Sequence, residues 1–116
     1  MYTTDYTTAQ AIAQMSYPMR YKVVAAAQER RDGYMERANK TESHTVRDSW
    51  IDLADTVDDE IETDLVQLFS FTRSEIVDYW DMTRVGFDAA TAVERIIEAR
   101  EERDARATIN SLIWAM

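Results

Sequence analysis

Between Asp48 and Phe69 the sequence DSWIDLADTVDDEIETDLVQLF repeats on a helical period, and this constrains the chain more than any other feature. At about 100° per residue, Trp50, Leu53, Val57, Ile61 and Leu68 gather on one side, while Asp48, Asp52, Asp55, Asp59 and Glu62 gather opposite, with Asp58 at their edge. A strand alternates faces every second residue and could not separate these two groups; a helix buries one and shows the other to water. Two acids break the pattern, since Glu60 borders the apolar side and Asp64 falls within it.

A helix with one apolar stripe needs other helices to cover it. The rest of the chain supplies them. Only two glycines and one proline occur in 116 residues, and no segment alternates polar and apolar residues for long. Helices are expected over about 7–15 and about 18–38, with Ser16 as cap and Pro18 in the first turn. The loop NKTESHT, residues 39–45, leads to the acidic helix over about 46–69, capped by Ser43 or Thr45. Thr72 and Glu75 have capping-box spacing for a helix over about 73–84. Gly86 marks a left-handed stop and Asp88 caps the last helix. The expected fold is all-α: a compact bundle of four to five helices with a long C-terminal helix, one acidic domain over residues 1–116.

That last helix poses a problem of its own. Val93, Ile97, Arg100, Asp104 and Ala107 share a side, so the charged stretch REERDAR, residues 100–106, interrupts the apolar pattern before Ile109, Leu112 and Ile113 resume it. Either the helix bends or it bridges two separately buried ends. The terminal group SLIWAM gains free energy only out of water, so it is expected to dock into the core or onto a second subunit.

Stability must come from packing, because cysteine is absent and His44 is the only histidine, which excludes disulfides and thiolate zinc sites. No apolar run approaches the roughly 18 residues that span a bilayer, and the N-terminus lacks the pattern of a signal peptide. A soluble, cytoplasmic protein is expected. The net charge of −9 disfavours polyanionic partners, so neither direct nucleic-acid binding nor membrane binding is expected. The charge is uneven: residues 20–47 are net +3 and residues 48–88 net −10.

Three readings of the acidic helix stay open on the residues alone: a solvated face, a surface recognised by a partner, or a metal-binding or catalytic cluster. Successive acids advance roughly 4.5 to 6 Å along the axis, comparable to the roughly 3.4 Å between phosphates of a DNA strand. Like charges four residues apart cost a few tenths of a kcal/mol each, so stability alone does not ask for this ridge. Asp59, Glu60 and Asp64, followed by Glu75 and Asp78, are superficially similar to the magnesium-binding acids of MazG-like nucleotide pyrophosphohydrolases. However, Thr63 stands where that family places another acid, and the three residues on the first helix spread over about 140°. No glycine-rich phosphate loop is present, His44 lies in a polar loop, and no catalytic residue, metal or cofactor is expected. The basic residues Arg20, Lys22, Arg30, Arg31, Arg37 and Lys40 alternate with acids, as on an exposed helix laced by ion pairs.

Two tracts carry a resemblance. VERIIEAR, Val93 to Arg100, followed by TINSLIW, Thr108 to Trp114, resembles the late helix of the Ocr family of podophage antirestriction proteins; Trp50 to Phe69 resembles that family's central helix. The resemblance implies an all-helical homodimer whose carboxylates imitate bent B-form DNA and occupy the DNA groove of a restriction enzyme. It implies that Asp48, Asp52, Asp55, Asp58, Asp59 and Glu62 act as phosphate surrogates. Ile96, Ile97, Leu112, Ile113 and Trp114 would then contribute to core or dimer packing. The implied partner is a basic DNA-binding host protein, such as a restriction or other defence enzyme, met in the bacterial cytoplasm. The alternative is a small helical phage structural or assembly protein. The chain departs from the family in its net-positive 20–47 segment and in its apolar rather than acidic end.

Overall fold

The structure, a computed structural model, describes residues 10–115. Residues 7–9 of the expected first helix, and Met116, lie outside them. A short helix α1 at residues 10–14 is followed by α2 Tyr17–Lys40, α3 His44–Phe69, α4 Arg73–Arg84 and α5 Ala89–Ala115. The all-α bundle with a long C-terminal helix is therefore what the sequence folds into.

Local chemistry explains most boundaries. The Ser16 hydroxyl accepts from the Met19 N–H and Pro18 sits in the first turn of α2. Ser43 caps α3 by accepting from the Val46 N–H. At α4 the Thr72 hydroxyl accepts from the Glu75 N–H while the Glu75 carboxylate accepts from the Thr72 N–H, closing both halves of the capping box. The Asp88 carboxylate accepts from the Thr91 N–H at 2.7 Å to start α5, and this bond holds its carboxyl below the usual range. Gly86 adopts φ 111°, the left-handed stop expected after α4. The stop after α3 is a non-glycine residue: Ser70 has φ 55°, and its N–H and that of Phe71 reach back to the carbonyls of Val66 and Leu65.

Helices α2 and α3 form an antiparallel hairpin across residues 41–43 and make the most extensive contact in the fold. Its rungs are Arg20 to the Leu68 carbonyl, Arg31 to Asp58, Arg30 to Glu60, and Tyr34 stacked on Trp50. The buried side of α3 is Ala54, Val57, Ile61, Leu65 and Leu68. It is turned relative to the expected stripe: Ala54 is 1% exposed, whereas Leu53 is 44% exposed and Trp50 half-buried. A small residue at position 54 lets α2 approach closely, which excludes a bulkier side chain from the contact line. Helices α4 and α5 complete the core with Ile76, Tyr79, Ala89, Ala92, Val93 and Ile96. Tyr79 is fully buried, and its hydroxyl donates to Gln28 Oε1 at 2.6 Å, so the core's phenol is satisfied.

Helix α5 is one unbroken helix that neither bends back nor bridges two buried ends. Its buried residues Ala89, Ala92, Val93 and Ile96 keep helical spacing, and Arg100 follows on the same side. Arg100 donates to both carboxylate oxygens of Glu75, at 2.6 and 2.9 Å, and to the carbonyls of Phe69 and Ser70. Every residue from Glu101 to Ala115 is exposed. The radius of gyration, 18.0 Å, exceeds the roughly 13 Å of a compact chain this long, as a helix projecting from a compact bundle requires.

Glu75 is 4% exposed, and the Arg100 guanidinium, opposed by burial and helped by the Thr72 N–H, holds its carboxyl down to about 2. A depressed carboxyl stabilises the fold above its ordinary titration range and loses that contribution as pH falls from about 4.5 towards 2. Glu75→Gln is expected to lower stability by about 3 kcal/mol at pH 7. Urea titrations of both proteins should converge as pH drops through that window; parallel curves would contradict the assignment.

Candidate functional site: the acidic face of α3

The six acids singled out in the sequence separate into two groups. Asp48, Asp52, Asp55 and Asp59 are exposed along one side of α3, and among the described residues none has an ion-pair partner. The Thr56 and Thr63 hydroxyls bond to the backbone carbonyls of Asp52 and Asp59, leaving the carboxylates to solvent. The four advance over about 16 Å of helix axis.

Asp58 and Glu62 differ. Asp58 is half-buried and its carboxylate accepts from Arg31 Nε at 3.0 Å. Burial pushes its carboxyl up, against the pull of that guanidinium. Glu62 accepts from Arg73 at 3.0 Å. Both line a groove of about 350 Å³ between α2, α3 and α4, together with Asp32, Trp80, Arg31 and Arg84. The Arg31 guanidinium lies 6.0 Å from the Trp80 ring centroid, so the groove already holds its own cation against its aromatic face. The continuous six-acid ridge thus contracts to a stripe of four free carboxylates flanked by guanidiniums of α2 and α4.

The basic residues of α2 are mostly engaged within the chain. Arg30 pairs with Glu60 at 2.9 Å, Lys40 with Glu36, and Arg37 covers the Trp50 ring at 5.0 Å. Arg20 donates to the carbonyls of Leu68 and Ile12, and its guanidinium lies 5.2 Å from the Tyr17 ring centroid. The Glu36–Lys40 pair is of the i,i+4 kind that the alternation of bases and acids on this helix suggests; the partners on other helices were not readable from the sequence, although the adjacency of a net-positive and a net-negative segment was their signal.

The acids considered for magnesium are used separately. Glu60 bonds Arg30, Glu75 is enclosed by Arg100 and the α4 cap, and Asp64 is half-buried with its carboxyl raised by burial and by Glu60. Among the described residues no group of three or more acidic, histidine or cysteine side chains converges on a metal position. His44 is exposed in the first turn of α3.

The residues assigned to core or dimer packing also divide. Ile96 is 3% exposed and Ile97 packs against the core at partial exposure. Leu112, Ile113 and Trp114 do not join the core: they are 62, 62 and 89% exposed. The reason is geometric, since α5 runs straight past the bundle after Arg100 and no other described element extends alongside it. No protein-family model matches the chain, and neither a curated protein nor a solved structure matches it.

Arg31→Met leaves Asp58 half-buried without its cation, so stability at pH 7 should fall by about 1–2 kcal/mol. Losing the cation raises the Asp58 carboxyl further in the folded state, which therefore gains relative stability as the group protonates. The deficit measured by urea unfolding should narrow at pH 4; a deficit independent of pH would remove Asp58 as its source.

Proposed function

We propose that the chain is a non-enzymatic, protein-binding inhibitor of a host DNA-processing or defence enzyme, of antirestriction type. The acidic stripe of α3 sets itself against the basic surface by which that enzyme holds DNA. The observation that carries this reading is the exposed, unpaired row of Asp48, Asp52, Asp55 and Asp59 on a helix clamped along its opposite side. Their neighbours are paired, so these four keep an electrostatic cost that no internal contact repays. A rigid row loses little conformational freedom on binding and meets clustered Lys and Arg at phosphate-like density. The site of action on this reading is the host bacterial cytoplasm. No helix of the described residues is long and apolar enough to cross a membrane.

A second reading, a small helical structural or assembly protein, is favoured by the exposed apolar end of α5. Self-association through that end, as a homodimer, is compatible with the inhibitor reading and independent of the stripe.

Changing Asp52, Asp55 and Asp59 together to asparagine should leave helicity unchanged, because all three are exposed. Capture of a basic DNA-binding protein from a bacterial lysate should weaken at least about tenfold. Capture should also decline with added duplex DNA and with raised salt. Full retention by the triple variant would remove the stripe as the binding surface.

A further inference from the structure

The exposed face of α3 does not end with its aspartates. From Asp48 through Asp52, Asp55, Asp59 and Glu62 to Val66 the steps are four, three, four, three and four residues. Val66 therefore lies about five turns from Asp48, about 27 Å along the axis and at the same angle round it. Alternating three and four spacing is the seam along which one helix packs on another. This seam changes character along its length. The four aspartates are unpaired among the described residues, Glu62 is neutralised by Arg73 at 3.0 Å, and Val66 is apolar and 48% exposed.

A half-exposed valine on a polar face means little by itself. Val66, however, walls an apolar groove of about 460 Å³ at the α3–α4 junction, floored by the buried Phe71 and Ile76. The α3 side of that groove, Glu62, Thr63, Val66 and Gln67, is centred within about 30° of the aspartate row, so the groove opens in line with the stripe. An apolar floor beneath a polar rim suits one aliphatic or aromatic side chain and holds it in register.

We propose that stripe and groove form one surface for a basic helix of the partner protein. A row of Lys and Arg on that helix faces Asp48 to Asp59, and one bulky apolar side chain, about two turns beyond the last base, enters the groove of Val66, Phe71 and Ile76. The inference rests on the inhibitor reading of the stripe and adds to it the kind of element met and an apolar anchor.

Charge fixes where the partner's bases stop. The Arg73 side chain is 82% exposed at the groove rim, so a Lys or Arg placed beyond Asp59 meets a guanidinium and not a free carboxylate. A helix complementary along its whole length carries bases over about 16 Å, no charge at the level of the Glu62–Arg73 pair, and its apolar residue about 10 Å past Asp59. The two halves act differently. The aspartates speed encounter and weaken with salt, whereas the anchor slows dissociation and fixes register.

Defined peptides test this on the whole chain. Alanine-based helical peptides of about 20 residues carry four Lys at four-three-four spacing and, seven residues from the row at one end or the other, either Phe or Ala. In fluorescence anisotropy at low salt, the Phe peptide of one orientation should bind at least about tenfold more tightly than its Ala counterpart. Added salt should weaken both and preserve their ratio. The methyl NMR signals of Val66 and Ile76 should shift with the Phe peptide alone. Val66→Gln, at an exposed position, should bring the Phe peptide to the Ala value with circular dichroism unchanged. Asparagine at positions 52, 55 and 59 together should weaken both peptides equally. Equal, salt-sensitive binding of Phe and Ala peptides would overturn the anchor and leave the charge reading of the stripe standing. Binding of neither at low salt would overturn both. Self-association of the chain that Val66→Gln abolishes would assign the groove to a second copy and overturn the partner helix.

Discussion

Glu75 and Arg100 join three parts of the chain at one point. The Glu75 carboxylate closes the α4 capping box and accepts two bonds from Arg100, which also reaches the last carbonyls of α3. Those carbonyls carry the negative end of a 26-residue helix, so the guanidinium neutralises a helix terminus and a buried carboxylate together. Fixing the C-terminal end of α3, the start of α4 and the middle of α5 here sets the direction in which α5 departs. Burial makes the arrangement demanding for the carboxylate: Glu75 is 4% exposed and without Arg100 its charge would stand unpaired in the core.

The uneven charge of the chain has a structural explanation. Bases of α2 are aligned with acids of α3 by the antiparallel hairpin, and the pairs Arg31–Asp58 and Arg30–Glu60 sit at successive levels of it. This accounts for a net-positive segment beside a net-negative one without any external ligand. It also isolates what is unaccounted for. Asp48, Asp52, Asp55 and Asp59 lie on the side of α3 that no basic helix reaches, and their repulsion is uncompensated within the chain.

Much of the fold was legible because its signals are local. Ser43, the Thr72–Glu75 pair, Gly86 and Asp88 act within four residues of themselves, and each works as its chemistry predicts. The left-handed Ser70 was not legible, since a serine gives no left-handed signal and the conformation is held by Arg100 from 30 residues away. Neither was the rotation of α3 that buries Ala54 and exposes Leu53, because hydrophobicity ranks leucine first while close packing against α2 selects the smaller side chain. The candidate stripe was legible as a face, but not the loss of Asp58 and Glu62 to guanidiniums on other helices. The end of α5 was legible as an anomaly; its position outside the core follows from one unbroken helix running on past Arg100, where no other described element extends alongside it.

The stripe and the arm differ in how they respond to solution conditions. Contacts made by exposed carboxylates weaken as salt screens them, whereas any removal from water of the exposed Ile109, Leu112, Ile113 and Trp114 would be driven by their apolar surface rather than by charge. Two copies of a chain with net charge −9 repel each other, so on the proposed reading salt that loosens a basic partner from α3 would also relieve the opposition to self-association through the exposed end of α5. The two surfaces therefore move in opposite directions along one variable. A single salt titration, read separately for partner capture and for self-association, distinguishes a surface governed by charge from one governed by apolar burial.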